Sequence, residues 1–268
     1  MIAVAKEIIV PLYKEPSINS ERVDELLYGM QAEIELLPCT LYVYVTTRYG
    51  YTGYARKSCF EVGEKAEDFI AATGYVVTAA YADVLSAPKV QGKLLKSLVR
   101  GSRIGYLGRG QNGWSMVTLC GGKTGFMRDL FIAPPKRRGD FPDEDSYRRS
   151  LVDTAKQYLG VQYRWGGKSP LGIDCSGLCS ISYLLNDVYI YRDAKIQPQF
   201  CMRKIPFDKI KPGDLLYFPG HVAMYIGDDT VIHSTGKYSG VVYGSLTPDG
   251  KYPYLDILPS LSYCGTIF

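Results

Sequence analysis

The chain has 268 residues, room for one large domain or two to three small ones, and its 46% hydrophobic and 22% charged content is that of an ordinary globular protein. Its 31 basic and 27 acidic side chains leave a net charge of +4, and no Lys/Arg run is interleaved with aromatics, so nucleic acid is not an expected partner. No stretch approaches the about 20 apolar residues that span a bilayer, so no membrane insertion is expected.

Met1–Glu7 lacks the charged start, apolar core and small-residue cleavage site of a secretory signal, which predicts a cytoplasmic protein. A chain trimmed of its signal would read the same way and be secreted or periplasmic. The seven cysteines are odd in number and form no dense framework, as expected of free thiols in a reducing compartment. Tyrosine, at 23 residues, is unusually common, and its apolar ring with a polar tip suits grooves that bind peptides or sugars.

The first half repeats itself at one offset. Glu15-Pro16 recurs as Ala87-Pro88, Gly29 as Gly101, and Thr52-Gly53-Tyr54-Ala55-Arg56 as Thr124-Gly125-Phe126-Met127-Arg128. Val23, Leu26 and Leu27 match Leu95, Leu98 and Val99. Each copy reads as short strands between Gly, Pro and polar turns, which predicts two small all-β barrels over residues 1–70 and 73–135. Residues 136–144 then read as a linker, since the Pro134-Pro135 and Pro142 cluster breaks regular structure.

Beyond the linker the pattern changes. Tyr147, Leu151, Ala155 and Tyr158 recur at helical spacing over 145–160, with Gly160 as the stop. Gly172-Ile173-Asp174 reads as a turn, followed by a helix over 175–186 and then strands over 214–218, 221–226 and 230–233. Helices first and antiparallel strands afterwards predict an α+β domain over 145–268.

Cys175 and the only two histidines, His221 and His233, carry the chemistry. A thiol with an imidazole to take its proton, and a further group to orient that imidazole, is a sulfur nucleophile. Asp174 has the residue type of a helix N-cap, which places Cys175 in the first turn, where the positive helix end favours a thiolate and the Cys175 N–H can serve an oxyanion. With 227–229 as a three-residue turn, His221 and His233 fall on one face of a hairpin, one diagonal step apart. Cys175, Cys179 and two histidines also offer zinc ligands, but Cys179 falls in the second turn beneath the helix and no CxxC pair exists, so neither metal nor organic cofactor is expected.

Tyr163-Arg164-Trp165-Gly166-Gly167, the Gly172–Leu178 stretch around Cys175, Pro212–Phe218, His221–Gly227 and Val231-Ile232-His233-Ser234 resemble, in order, the blocks of the NlpC-type cysteine peptidases of bacterial cell-wall metabolism. The resemblance implies a papain-like fold, with Cys175 as nucleophile, His221 as general base, His233 as the orienting third member, and Tyr163 lining the site. The first half looks like the bacterial SH3-like domains that precede this peptidase. The whole arrangement is similar to the family's γ-D-glutamyl-L-diamino acid endopeptidases, which release L-Ala-γ-D-Glu from murein peptides with a free N-terminal L-Ala in cell-wall recycling. Asp174 and Ser176 match residues that hold the substrate's amino end there. Glu15 and Tyr51 align with Ala87 and Lys123 in the second copy, and a carboxylate and a phenol lost from one copy suit the substrate's ammonium. Alternatives are an extracellular endopeptidase acting on intact peptidoglycan, a silent wall-binding protein, and an amidase or transferase using the same thiol chemistry.

Overall fold

Short runs of alternating apolar residues, such as Val43 and Val45 buried between half-exposed tyrosines, form strands because every second side chain turns to the same face. The computed structural model describes residues 1–268 in two compact units, Met1–Pro135 and Lys136–Phe268.

In the first unit, β1 (Ile2–Ala5), β2 (Ile9–Tyr13), β3 (Arg22–Leu27), β4 (Gln31–Leu36), β5 (Tyr42–Thr47), β6 (Thr52–Arg56) and β7 (Phe60–Val62) make one antiparallel sheet in the order β3-β2-β6-β5-β4-β1-β7. After α1 (Glu64–Ala72) come β8 (Thr73–Val77), β9 (Tyr81–Leu85), β10 (Leu94–Val99), β11 (Arg103–Arg109), β12 (Trp114–Thr118), β13 (Thr124–Arg128) and β14 (Ile132–Ala133). Their order, β10-β9-β13-β12-β11-β8-β14, is that of the first sheet strand for strand. The sequence repeat is therefore a repeat of topology.

Two expectations need correction here. Both sheets are open ladders whose end strands do not pair with each other, so neither is a closed barrel. Nor is the first half all β. Residues 64–72, rich in helix formers, make α1, which buries Ala66 and Phe69 in a core shared by both copies with Tyr28, Val77, Leu98 and Ile104. A buried side chain such as Phe69 contributes about 1.5–3 kcal/mol. The copies meet closely at Gly29. Its φ of 76° favours glycine, and a Cβ there would lie 2.2 Å from the Arg103 carbonyl oxygen.

The residues expected to form a linker belong to the second unit. Lys136 Nζ donates to Ser150 Oγ at 2.7 Å, and residues 138–140 make a helical turn rather than open chain. In this unit α2 (Glu144–Lys156) starts on an Asp143 cap whose side chain accepts from Ser146 N–H. A two-strand ribbon, β15 (Lys168–Ser169) with β16 (Gly172–Ile173), replaces the turn expected before Cys175, and leads into α3 (Cys175–Leu184). The last sheet has the order β17-β22-β18-β19-β20-β21, from β17 (Arg203–Ile205), β18 (Leu215–Phe218), β19 (His221–Gly227), β20 (Thr230–Thr235), β21 (Gly240–Ser245) and β22 (Tyr263–Thr266). α3 packs on β19 and β20, which brings its N-terminus to the histidine-bearing hairpin. No helix is long and apolar enough to cross a membrane.

Candidate active site

The position of Cys175 is set by the residue before it. Asp174 is the N-cap of α3, its Oδ1 accepting from Gly177 N–H at 2.6 Å, a contact worth about 1 kcal/mol to a helix. Asp174 Oδ2 accepts from Gly166 N–H at 2.8 Å, which ties the Tyr163–Gly167 loop to the helix start. Gly177 permits that approach: a Cβ on it would sit 2.0 Å from the Gly167 carbonyl oxygen.

Sequence reasoning missed Arg192. Only 1% exposed, it grips both Asp174 oxygens, at 3.0 and 2.9 Å, and donates to Ser176 Oγ at 2.7 Å and Gly167 O at 3.2 Å. The bidentate fork fixes the plane of the capping carboxylate. A charge closing the apolar run Val188-Tyr189-Ile190-Tyr191 was the available signal, since an isolated Arg there reads as surface until its partner is known.

The two histidines reach one place through a hairpin built differently from expectation. Its turn has two residues, Asp228 and Asp229, both with positive φ, and not three. A bulge between Tyr225 and Gly227 supplies the extra residue, so the parity is unchanged. With Met224 opposite Ile232, His221 and His233 share a face, and His221 Nε2 lies 2.9 Å from His233 Nδ1 with the rings nearly perpendicular.

Pairing of β19 with β20 ends at Met224–Ile232, while β20 stays paired to β21 through Thr235 and β19 to β18 through His221. Next to this wedge the Val222 N–H is near enough to the Cys175 sulfur to favour its ionised form. The thiol therefore lies near the strand position next to His221. Since His221 Nε2 faces His233, Nδ1 is the nitrogen free to act as a base. That requires the proton on Nε2, donated to His233 Nδ1.

Burial dominates the electrostatics. It pushes the Cys175 thiol up to about 11, with the Asp174 carboxylate adding to the shift and the Val222 and Ser176 N–H groups opposing it. This desolvation opposes the thiolate expected at the helix end. Burial also lowers His221 to about 4, and lowers His233 to about 3 with help from its imidazole neighbour. At neutral pH the site holds a thiol and two neutral imidazoles. Both imidazoles are harder to protonate in the folded chain than in the unfolded chain, where they titrate near the ordinary value of about 6.5. The unfolded state therefore takes up protons first. This stabilisation is complete above pH 6.5 and is lost as pH falls towards 4 and then 3. Thermal unfolding should show a lower Tm at pH 4.5 than at pH 7, and His233→Asn should narrow that gap.

Tyr163 is half-buried and near enough to the thiol and Asp174 for both to act on its phenol, which burial pushes up to about 12. Ser176 is buried against Asp174 and Arg192. The second unit thus brings together Cys175, His221, His233, Tyr163, Asp174 and Ser176. Glu15 and Tyr51 belong to the first unit, Glu15 exposed just after β2 and Tyr51 half-buried between β5 and β6. No group of three or more His, Cys, Asp or Glu side chains is arranged to hold a metal ion.

Residues 160–256, which span this site, match the NlpC/P60 family. Dipeptidyl-peptidase 6 of Lysinibacillus sphaericus is 36% identical over 272 residues, covering the whole of both chains. The chain belongs to the NlpC/P60 family. As a member it is a cysteine peptidase, in keeping with the thiol and imidazoles described above. The NlpC/P60 chain is also 31% identical over 137 residues to the gamma-D-glutamyl-L-lysine dipeptidyl-peptidase of Bacillus subtilis, covering 47% of this chain and 44% of that one. A solved NlpC/P60 family protein from Bacillus cereus has the same fold, with a TM-score of 0.79 at 19% identity over 98% of each chain.

Proposed function

We propose that this peptidase hydrolyses the γ-D-glutamyl–diamino acid bond of peptidoglycan stem peptides that carry a free N-terminal L-Ala, releasing L-Ala-γ-D-Glu. The observation that carries the reading is the His221–His233 pair at 2.9 Å on β19 and β20, the two strands on which α3 packs with Cys175 at its start. The full-length likeness to a dipeptidyl-peptidase and the partial likeness to a γ-D-glutamyl one support the choice of bond.

As substrate binds, His221 Nδ1 takes the Cys175 proton and the sulfur attacks the γ-carbonyl carbon. The Cys175 N–H, in the first turn of α3, stabilises the oxyanion of the tetrahedral intermediate. His221 then protonates the amine of the diamino acid, which leaves, and a thioester remains on sulfur. A water molecule gives its proton to the same imidazole and attacks the thioester, releasing L-Ala-γ-D-Glu and restoring the thiol. His233 keeps Nδ1 of His221 facing sulfur throughout. Tyr163 lines the acyl side.

In this reading the two sheets of the first half are SH3-like modules. The assignment of Glu15 and Tyr51 to the substrate ammonium rests on their residue types and their replacement in the second copy. Asp174 and Ser176 are assigned to the substrate's amino end as well, and the Asp174 carboxylate also holds α3 through Arg192, Gly166 and Gly177. Soluble murein peptides, as in cell-wall recycling, are the substrates.

Mass spectrometry of L-Ala-γ-D-Glu-meso-diaminopimelate with free and acetylated amino ends tests the proposal. The free peptide should yield L-Ala-γ-D-Glu, the acetylated one should persist, and intact sacculi should be cut poorly. Equal cleavage of both peptides, or scission at another bond, would refute it.

A further inference from the structure

Past the two imidazoles the second unit holds a cavity of 440 Å³. His221 and His233 form part of its wall, and Lys237, Tyr238, Tyr254 and Asp256 form another part; neither Cys175 nor Tyr163 lines it. The cavity therefore adjoins His221 without reaching the sulfur. The amine expelled in the first half-reaction receives its proton from His221, so its attached residue leaves next to a wall of this cavity.

At the cavity Lys237 Nζ donates to Asp256 Oδ2 at 2.6 Å, and both side chains are more than half exposed, at 54% and 58%. So exposed a pair adds little to folding, which does not explain why two opposite charges sit at the wall of a tyrosine-lined cavity. Asp256 is close enough to His233 to act on its charge, so the pair is local to the reacting groups. Phe218, Tyr243, Leu255 and Ile257 give the rest of the wall an apolar character that suits the methylene stem of a long side chain.

We propose that Lys237 and Asp256 form the subsite for the far end of the leaving diamino acid, and that they favour a residue ending in both an ammonium and a carboxylate, as meso-diaminopimelate does, over lysine. This rests on the reading of the reaction given above. The pair offers one cation and one anion side by side, which a zwitterionic end complements at both points, exchanging one internal ion pair for two charge-assisted contacts. Lysine brings only an ammonium. It can reach Asp256 only by displacing Lys237, and it places a like charge beside that side chain.

The test compares kcat/KM of the intact protein on L-Ala-γ-D-Glu-meso-diaminopimelate and L-Ala-γ-D-Glu-L-Lys, alongside Lys237→Gln and Asp256→Asn. The native enzyme should prefer the diaminopimelate peptide by about tenfold, the scale of one contact to a charged group. Lys237→Gln should remove most of that preference. Asp256→Asn should weaken both peptides, since both present the ammonium. A native enzyme that cleaves both peptides without preference, or a preference untouched by Lys237→Gln, overturns the subsite while leaving the reaction standing. Failure of the native enzyme to cleave either peptide overturns the reaction and the subsite with it.

Discussion

Replacing Cys175 with Ala should abolish hydrolysis of L-Ala-γ-D-Glu-meso-diaminopimelate, a loss on the order of 10⁶-fold in kcat if the residues act as a unit. His221→Ala should cost nearly as much, and the double variant little more than either, because a base without a nucleophile and a nucleophile without a base both stop at the first step. The resting state sharpens the expectation. With the thiol held up near 11 by burial and His221 lowered to about 4, sulfur is not ionised before substrate arrives and depends on Nδ1 of His221 for activation. Removing one sulfur atom from a site 6% exposed should leave the fold in place, with thermal unfolding changed by about 1 kcal/mol or less. Loss of activity together with an unfolded protein, or retained activity, would each contradict this.

Arg192→Met should be the most disruptive change away from the reacting atoms. It leaves the Asp174 carboxylate buried with its principal counter-charge gone, a situation that costs about 3–5 kcal/mol. The loss is expected to be local first. Asp174 caps α3 and pins Gly166, so amide exchange in the first turns of α3 should accelerate before the rest of the unit opens. Adding Asp174→Asn to Arg192→Met should recover part of the stability, because a neutral amide can still accept from Gly177 without an unpaired charge. Unchanged exchange in α3 on Arg192→Met would show that Asp174 does not need its partner.

The site was legible in the sequence to the extent that its parts are local. Asp174 before Cys175 announces a cap and the first turn of a helix, and the cap is there. The spacing of His221 and His233 gives them a shared face only if the hairpin loop has the right parity. The structure reaches that parity by a two-residue turn and a bulge, a substitution no residue count reveals. Arg192 was hidden because its role is a pairing across the fold, and nothing local to it names Asp174. The burial of the thiol was hidden for a related reason: a helix end is visible in sequence, whereas burial depends on elements packed from elsewhere in the chain. The repeat was legible because matched Gly and apolar positions recur at one offset, yet the open edges of the two sheets and the shared core around Phe69 depend on contacts far apart in the chain.

The central claim is that the γ-glutamyl group passes through Cys175. Acid-quenched turnover of L-Ala-γ-D-Glu-meso-diaminopimelate, followed by proteolysis and mass spectrometry of the fragments, addresses it directly. The account predicts an adduct of L-Ala-γ-D-Glu, less one water, on the fragment containing Cys175. An adduct on a different cysteine of the seven would contradict it.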